Sequence, residues 1–263
     1  MNIDSIRTSF PRPHGPRPLA SAFGIVGLSV LAALPTDASQ HQGKGSPVTK
    51  EFEEAIQLTP NLENGRKLYR VCVTCHGPEA WGTRDGAYPQ IAGQLRSVII
   101  KQLADIRAGN RSNPIMRAFT STRALPGPQA IADVAGYIAQ LPMTRHNGEG
   151  PSFDLDRGKQ LYNDNCTDCH GANGEGDSDK HIPLLYGQHY QYLFRQFEHI
   201  RHGMRRNADP DMVEQIKGFR LRDQVDVLTY TSKLKPPKEK LAPPGWTNPD
   251  FPYYRRSWRP SLP

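Results

Sequence analysis

Apolar residues return at helical spacing in several stretches of the chain, and the stretches come in matching pairs. From about Gln94 to Ala108, Leu95, Ile99, Leu103 and Ile106 share one face, and Gly109 supplies a stop. From about Pro128 to Leu141, Ile131, Val134, Ala135, Ile138 and Leu141 line another face, and Pro142 ends it. A shorter helix carries Gly65, Leu68 and Tyr69. Counterparts follow from about Asp156, from His189 to His202 and from Leu221 to Leu234. No stretch alternates apolar and polar residues as a half-buried strand would, so the pattern predicts an all-α fold.

The pairing extends to individual residues, as an internal duplication requires. Gly65-Arg-Lys-Leu68-Tyr69 answers Gly158-Lys-Gln-Leu161-Tyr162, and Pro89-Gln-Ile-Ala-Gly93-Gln94 answers Pro183-Leu-Leu-Tyr-Gly187-Gln188. Gln102 to Ile106-Arg107-Ala-Gly109 answers Gln196 to Ile200-Arg201-His-Gly203, and Val134, Tyr137 and Leu141 answer Val227, Tyr230 and Leu234. The repeat period is about 94 residues. The expected organisation is two tandem domains, 61–142 and 156–235, joined by a Gly/Pro-containing linker at 143–155.

The borders of the repeat carry different signals. Residues 1–38 read as an export signal: Arg7, Arg12 and Arg17 precede an apolar run from Leu19 to Leu34, and Ala38 stands at a plausible cleavage point. That run is short of the ~20 apolar residues needed to span a bilayer. Export implies the periplasm. Residues 39–60 form an N-terminal extension, and residues 236–263 form a tail rich in proline. The tail sets Trp246, Phe251, Tyr253, Tyr254 and Trp258 beside Arg255, Arg256 and Arg259, residue types enriched at interfaces, so it is expected to dock onto a partner subunit or to wrap over one domain.

Composition sharpens the picture. Only 37% of the 263 residues are hydrophobic, against 24 prolines and 23 glycines, so neither domain can fill its interior from aliphatic side chains alone. The formal charge of +7 would admit nucleic acid as a partner, but an exported protein does not meet it, and a solvated basic surface is the plain reading.

All four cysteines lie in two pairs, Cys72/Cys75 and Cys166/Cys169, and each pair is followed at once by a histidine, His76 or His170. C-x-x-C-H is the attachment signal of c-type haem. Two thiols three residues apart form thioether links to the vinyl groups, and the adjacent histidine reaches the iron. Two covalent haem c groups would also supply the missing core volume. Disulfides or a structural zinc would leave both histidines unexplained. The sixth iron ligand is expected to be Met116, 40 residues after His76, and Met212, 42 residues after His170. For the second iron, Met204, His181, His189, His199 and His202 remain alternatives; for methionines generally, flexible core filling is the ordinary role.

These residues resemble the dihaem class I cytochromes c of the cytochrome c-four type. The likeness covers about 61–235 and rests on the two C-x-x-C-H motifs, the paired Pro-x-x-x-Gly-Gln segments, the Gln-x-x-x-Ile-Arg-x-Gly helices and the Asn/Pro-rich approach to each methionine. It implies two tandem cytochrome c domains, His/Met ligation and electron transfer in the periplasm. It further implies that the Pro89 and Pro183 carbonyls hydrogen-bond the histidines, and that Gly65/Tyr137 and Gly158/Tyr230 mark the packing of first and last helices. The expected function is one-electron transfer between redox proteins, as a shuttle or as the cytochrome subunit of a dehydrogenase or oxidase complex, without substrate chemistry of its own. A donor dehydrogenase or quinol–cytochrome c reductase and an acceptor terminal oxidase or reductase would be its partners, and any membrane contact would come through them. The alternative is a dihaem peroxidase, in which one iron must open a site for peroxide.

Overall fold

The computed structural model describes residues 49–151 and 153–254, and among them the chain is helical. Only isolated bridges, Met143 with Leu241 and Asp177 with Ile182, have β pairing. The export-signal stretch 1–38, and Arg255, Arg256, Trp258 and Arg259 of the tail, lie outside the described residues.

The first half runs α1 (Lys50–Gln57), α2 (Leu62–Tyr69), α3 (Val73–His76), α4 (Arg96–Ala108), α5 (Pro114–Phe119) and α6 (Gly127–Gln140). The second runs α7 (Leu155–Asn165), α8 (Thr167–His170), α9 (Tyr190–Arg201), α10 (Pro210–Lys217) and α11 (Leu221–Lys233). Local chemistry sets the ends. Asn61 and Asp154 cap α2 and α7 by accepting from Asn64 N and Arg157 N. Gly109 closes α4 in the left-handed conformation, at φ 83°.

Helix α2 crosses α6 in the first half and α7 crosses α11 in the second, and a glycine makes each crossing possible. A Cβ on Gly65 would stand 2.2 Å from the Asp133 carbonyl oxygen, and one on Gly158 would stand 2.2 Å from that of Asp226. Tyr137 and Tyr230 border these contacts, with their Cβ atoms at 2.9 and 3.1 Å from the same positions. The residues that the resemblance paired are thus points where two backbones touch.

Helix α1 belongs to the N-terminal extension and has no counterpart in the repeat. Thr49 caps it, Phe52 and Ala55 are buried, and it packs on α4 and α6. Arg96 holds its C-terminal end, donating to Ile56 O at 3.1 Å, Ala55 O at 3.1 Å and Leu58 O at 2.5 Å.

The halves meet about a local two-fold relation. Gln94 donates to Leu184 O and accepts from Leu184 N, both at 3.1 Å. Gln188, its counterpart in the repeat, donates to Gln90 O at 2.8 Å and accepts from Gln90 N at 3.1 Å. Arg111 and Arg205 repeat the relation: Arg111 donates to Gln102 at 2.9 Å and to Gln196 at 3.0 Å, and Arg205 to Gln102 at 3.0 Å and to Gln196 at 3.3 Å. Burial, with Arg111 facing it, pushes Arg205 down to about 9. His189, 1% exposed, closes the seam by accepting from Gly148 N at Nδ1 (2.9 Å) and contacting Trp81 O through Nε2 (2.7 Å).

The segment after Pro142 is part of this seam. Met143 is 1% exposed and packs with Leu184 and Tyr186. The tail runs beside it, with Met143 N donating to Lys240 O and Ala242 N to Met143 O. Beyond this point the described part of the tail, up to Tyr254, lies on the first half: Trp246 packs on Trp81 and Phe251 on Tyr69, and both join the first hydrophobic core.

Candidate haem sites

Cys72, Cys75 and His76 lie on one turn, with Cys75 N and His76 N both donating to Cys72 O at 3.2 and 2.9 Å. Cys166, Cys169 and His170 repeat it, with His170 N on Cys166 O at 2.8 Å. A single helical turn therefore gathers two thiols and an imidazole, as the attachment chemistry requires. None of the four cysteines is in a disulfide. Cys72, Cys75 and Cys166 are half-buried, whereas Cys169 is exposed.

The histidines are aimed from behind. His76 Nδ1 lies 3.0 Å from Pro89 O, and His170 Nδ1 lies 3.0 Å from Pro183 O. Each carbonyl accepts the Nδ1 proton, which fixes the tautomer and leaves Nε2 free to bind a metal. Both rings are buried, and burial holds them below the ordinary imidazole value against the smaller opposing effect of these bonds. Tyr69 and Tyr162 brace the same turns by donating to Gly77 O (2.7 Å) and Gly171 O (2.8 Å). Fixed tautomer, paired thiols and a buried ring in both halves fit a covalent haem at each turn.

The methionines stand on the short helices α5 and α10. Met116 is half-buried, and its N–H donates to the Asn113 side chain at 3.1 Å. Met212 packs against the second hydrophobic core. On α10, Gln215 donates to Asn165 Oδ1 at 2.8 Å, which brings this helix beside the residue preceding Cys166. Of the alternatives, Met204 is 52% exposed, His189 has both ring nitrogens engaged at the seam, His181 lies edge-on to Phe52 and His202 pairs with Glu198. No group of three or more His, Cys, Asp or Glu among the described residues is placed to hold a bare metal ion.

Helices packed around two such turns define a c-type cytochrome, and comparison with known proteins agrees. The cytochrome c family matches residues 62–142 and 155–226. The chain is 31% identical to cytochrome c4 of Azotobacter vinelandii over 185 residues, 65% of this chain and 86% of that one. It is 29% identical to the thiosulfate dehydrogenase electron acceptor of Stutzerimonas stutzeri, covering 66% of this chain and 87% of that one. The crystal structure of reduced cytochrome c4 from Pseudomonas stutzeri superposes with a TM-score of 0.58 at 26% identity, covering 67% of this chain and all of the other. The chain belongs to the cytochrome c family and, within it, to the dihaem cytochrome c4 type. It carries two covalently bound haem c groups and transfers electrons.

Proposed function

We propose that Cys72 and Cys75 attach one haem and Cys166 and Cys169 the other, that His76 with Met116 and His170 with Met212 complete the two irons, and that the protein passes single electrons between redox proteins in the periplasm. The observation that carries this reading is the repetition of one geometry: in both halves the histidine directly after the thiols is held through Nδ1 by a proline carbonyl at 3.0 Å. Bound there, each haem supplies a one-electron ferric/ferrous couple. The chain's own groups tune and protect it. The carbonyl bond orients the ring and raises its basicity, and a methionine thioether among the ligands would favour the reduced metal. Held by a histidine and a methionine, each haem would exchange electrons rather than bind a substrate.

The export signal supports a periplasmic location, and no helix among the described residues is long and apolar enough to cross a membrane. The relative named as an electron acceptor of thiosulfate dehydrogenase supports a dehydrogenase as donor. A quinol–cytochrome c reductase as donor, and a terminal oxidase or reductase as acceptor, suit the same chemistry.

Acid-acetone extraction and intact mass test the attachment: two haems stay on the polypeptide, and a mass equal to the bare chain overturns the reading. Met116→Ala and Met212→Ala each turn one low-spin ferric haem high-spin. A second haem that responds to Met204→Ala and ignores Met212→Ala reassigns its ligand.

A further inference from the structure

The two attachment turns are alike, but the loops that leave them are not. In the first half every residue from His76 to Ala80 is buried. The tail lies over this loop. Asn248, 2% exposed, donates from Nδ2 to Pro78 O at 2.6 Å and sits 3.0 Å from the Tyr137 hydroxyl. Trp246 packs on Trp81 with ring centroids 5.8 Å apart, and Phe251 lies edge-on to Tyr69 at 5.9 Å. In the second half Ala172, Asn173 and Glu175 are exposed. Glu175 occupies the place that Trp81 holds in the first, five residues after the histidine, and its carboxylate accepts from Asn173 N at 2.8 Å.

We infer that the tail is a strap that raises the reduction potential of the first haem and leaves that of the second unchanged, with Trp246 and Asn248 as its positioning residues. The inference rests on the attachment of the first haem at Cys72, Cys75 and His76. An oxidised haem carries one more positive charge than a reduced one, so water near its ligand stabilises the oxidised form. Burial and exclusion of water from the ligand loop therefore shift the couple toward the reduced form. The strap sets a buried amide on that loop and packs two half-buried aromatic rings on Trp81 and Tyr69 beside it, and no corresponding segment among the described residues overlies residues 171–175. Two carboxylates stand nearby. Asp250 of the strap accepts from Tyr137 at 2.8 Å but is exposed, so solvent screens it. Glu79 is buried in the loop itself and is common to strapped and unstrapped chains.

The test is potentiometric titration of the haem-loaded full-length protein against a chain ending at Pro243, and against Trp246→Ala and Asn248→Ala, which keep the tail. Met212→His serves as a background, because it moves the second haem's midpoint downward and leaves the upper wave to the first. The expected result is that the first midpoint falls on truncation and falls less in each point variant, while the second stays. Midpoints that do not move, a first midpoint that rises, or a shift confined to the second haem overturns the inference. Covalent haem content on the same samples separates it from the site assignment. Fewer than two haems in the intact chain overturns the assignment, whereas two haems with unmoved midpoints overturns the strap alone.

Discussion

Among the described residues, the first half of the molecule is wrapped by flanking segments and the second is not. Both use one plan: a glycine-mediated crossing of first and last helices, a thiol–thiol–histidine turn, and a carbonyl behind the ring. Onto the first are added α1, which covers α4 and α6, and the strap, which covers the loop after His76. Both additions come from outside the repeat, one from each end. The difference shows that two sites with the same attachment chemistry need not have the same surroundings, because the segments flanking a duplication can settle on one copy only.

The largest expected effect breaks the comparison at the haems. Replacing Cys72 and Cys75 by serine, or Cys166 and Cys169, leaves one covalent haem per chain. The second-half variant loses more helix by circular dichroism, because among the described residues its core of Tyr162, Leu193, Phe197 and Val227 has no added helix or strap to hold it. Equal losses would show that the wrapping carries no stability.

Next come the crossings. Gly65→Ala and Gly158→Ala each push a methyl group onto a backbone oxygen at 2.2 Å, and each costs about 3 kcal/mol in denaturant unfolding, since overpacking of this kind displaces whole helices. Similar losses in the two variants sharpen the equivalence of the underlying plan; an effect in one half alone would break it.

The seam follows. Gln94→Ala and Gln188→Ala each strip three backbone groups of their partner, two across the seam and the N–H of the following residue, and cost about 1–3 kcal/mol. Faster proteolysis between the halves is the accompanying sign, and it is the same for both glutamines if the two-fold relation is energetic as well as geometric.

Acidity acts on His189, which sits at the seam without a repeat partner. Burial holds its ring below the ordinary 6.5, against the Trp81 carbonyl and Asp85, which favour the proton, while Arg84 opposes it. The unfolded chain therefore takes up the proton first. The stability this group contributes is complete above 6.5 and is lost as the pH falls from there toward the lowered folded value. Thermal unfolding between about pH 7 and pH 5 shows a slope that flattens in His189→Asn.

The smallest effect compares two tyrosines. Tyr137 donates to Asp250 and meets Asn248 through the strap, so Tyr137→Phe costs about 1 kcal/mol more than Tyr230→Phe.

Much of this architecture was legible in the sequence where a repeat or a period marked it. The long helices fall within a residue or two of their expected spans, and Gly65, Gly158, Pro89 and Pro183 stand where the family likeness put them. The short helices were less visible: α1, α5 and α10 span too few turns for a hydrophobic period to register, although Thr49, Asn113 and Asp209 are capping residues that could have marked them. Gln94 and Gln188 were seen as a repeated residue, but a pattern along one chain does not say that a side chain reaches across to the other copy. The tail's aromatic content pointed to docking, while the choice of the first half depends on Trp81, whose counterpart Glu175 offers no ring to pack on.

The glutamine seam also bears on how the chain meets its own copies. A contact in which residue 94 binds 184 while 188 binds 90 is self-complementary, so the first half of one molecule is a ready partner for the second half of another. Two chains could trade halves and lose no hydrogen bond at the seam. The strap works against such exchange: it ties the end of the second half to the flank of the first, and so keeps the effective concentration of the correct mate above that of any stranger in solution.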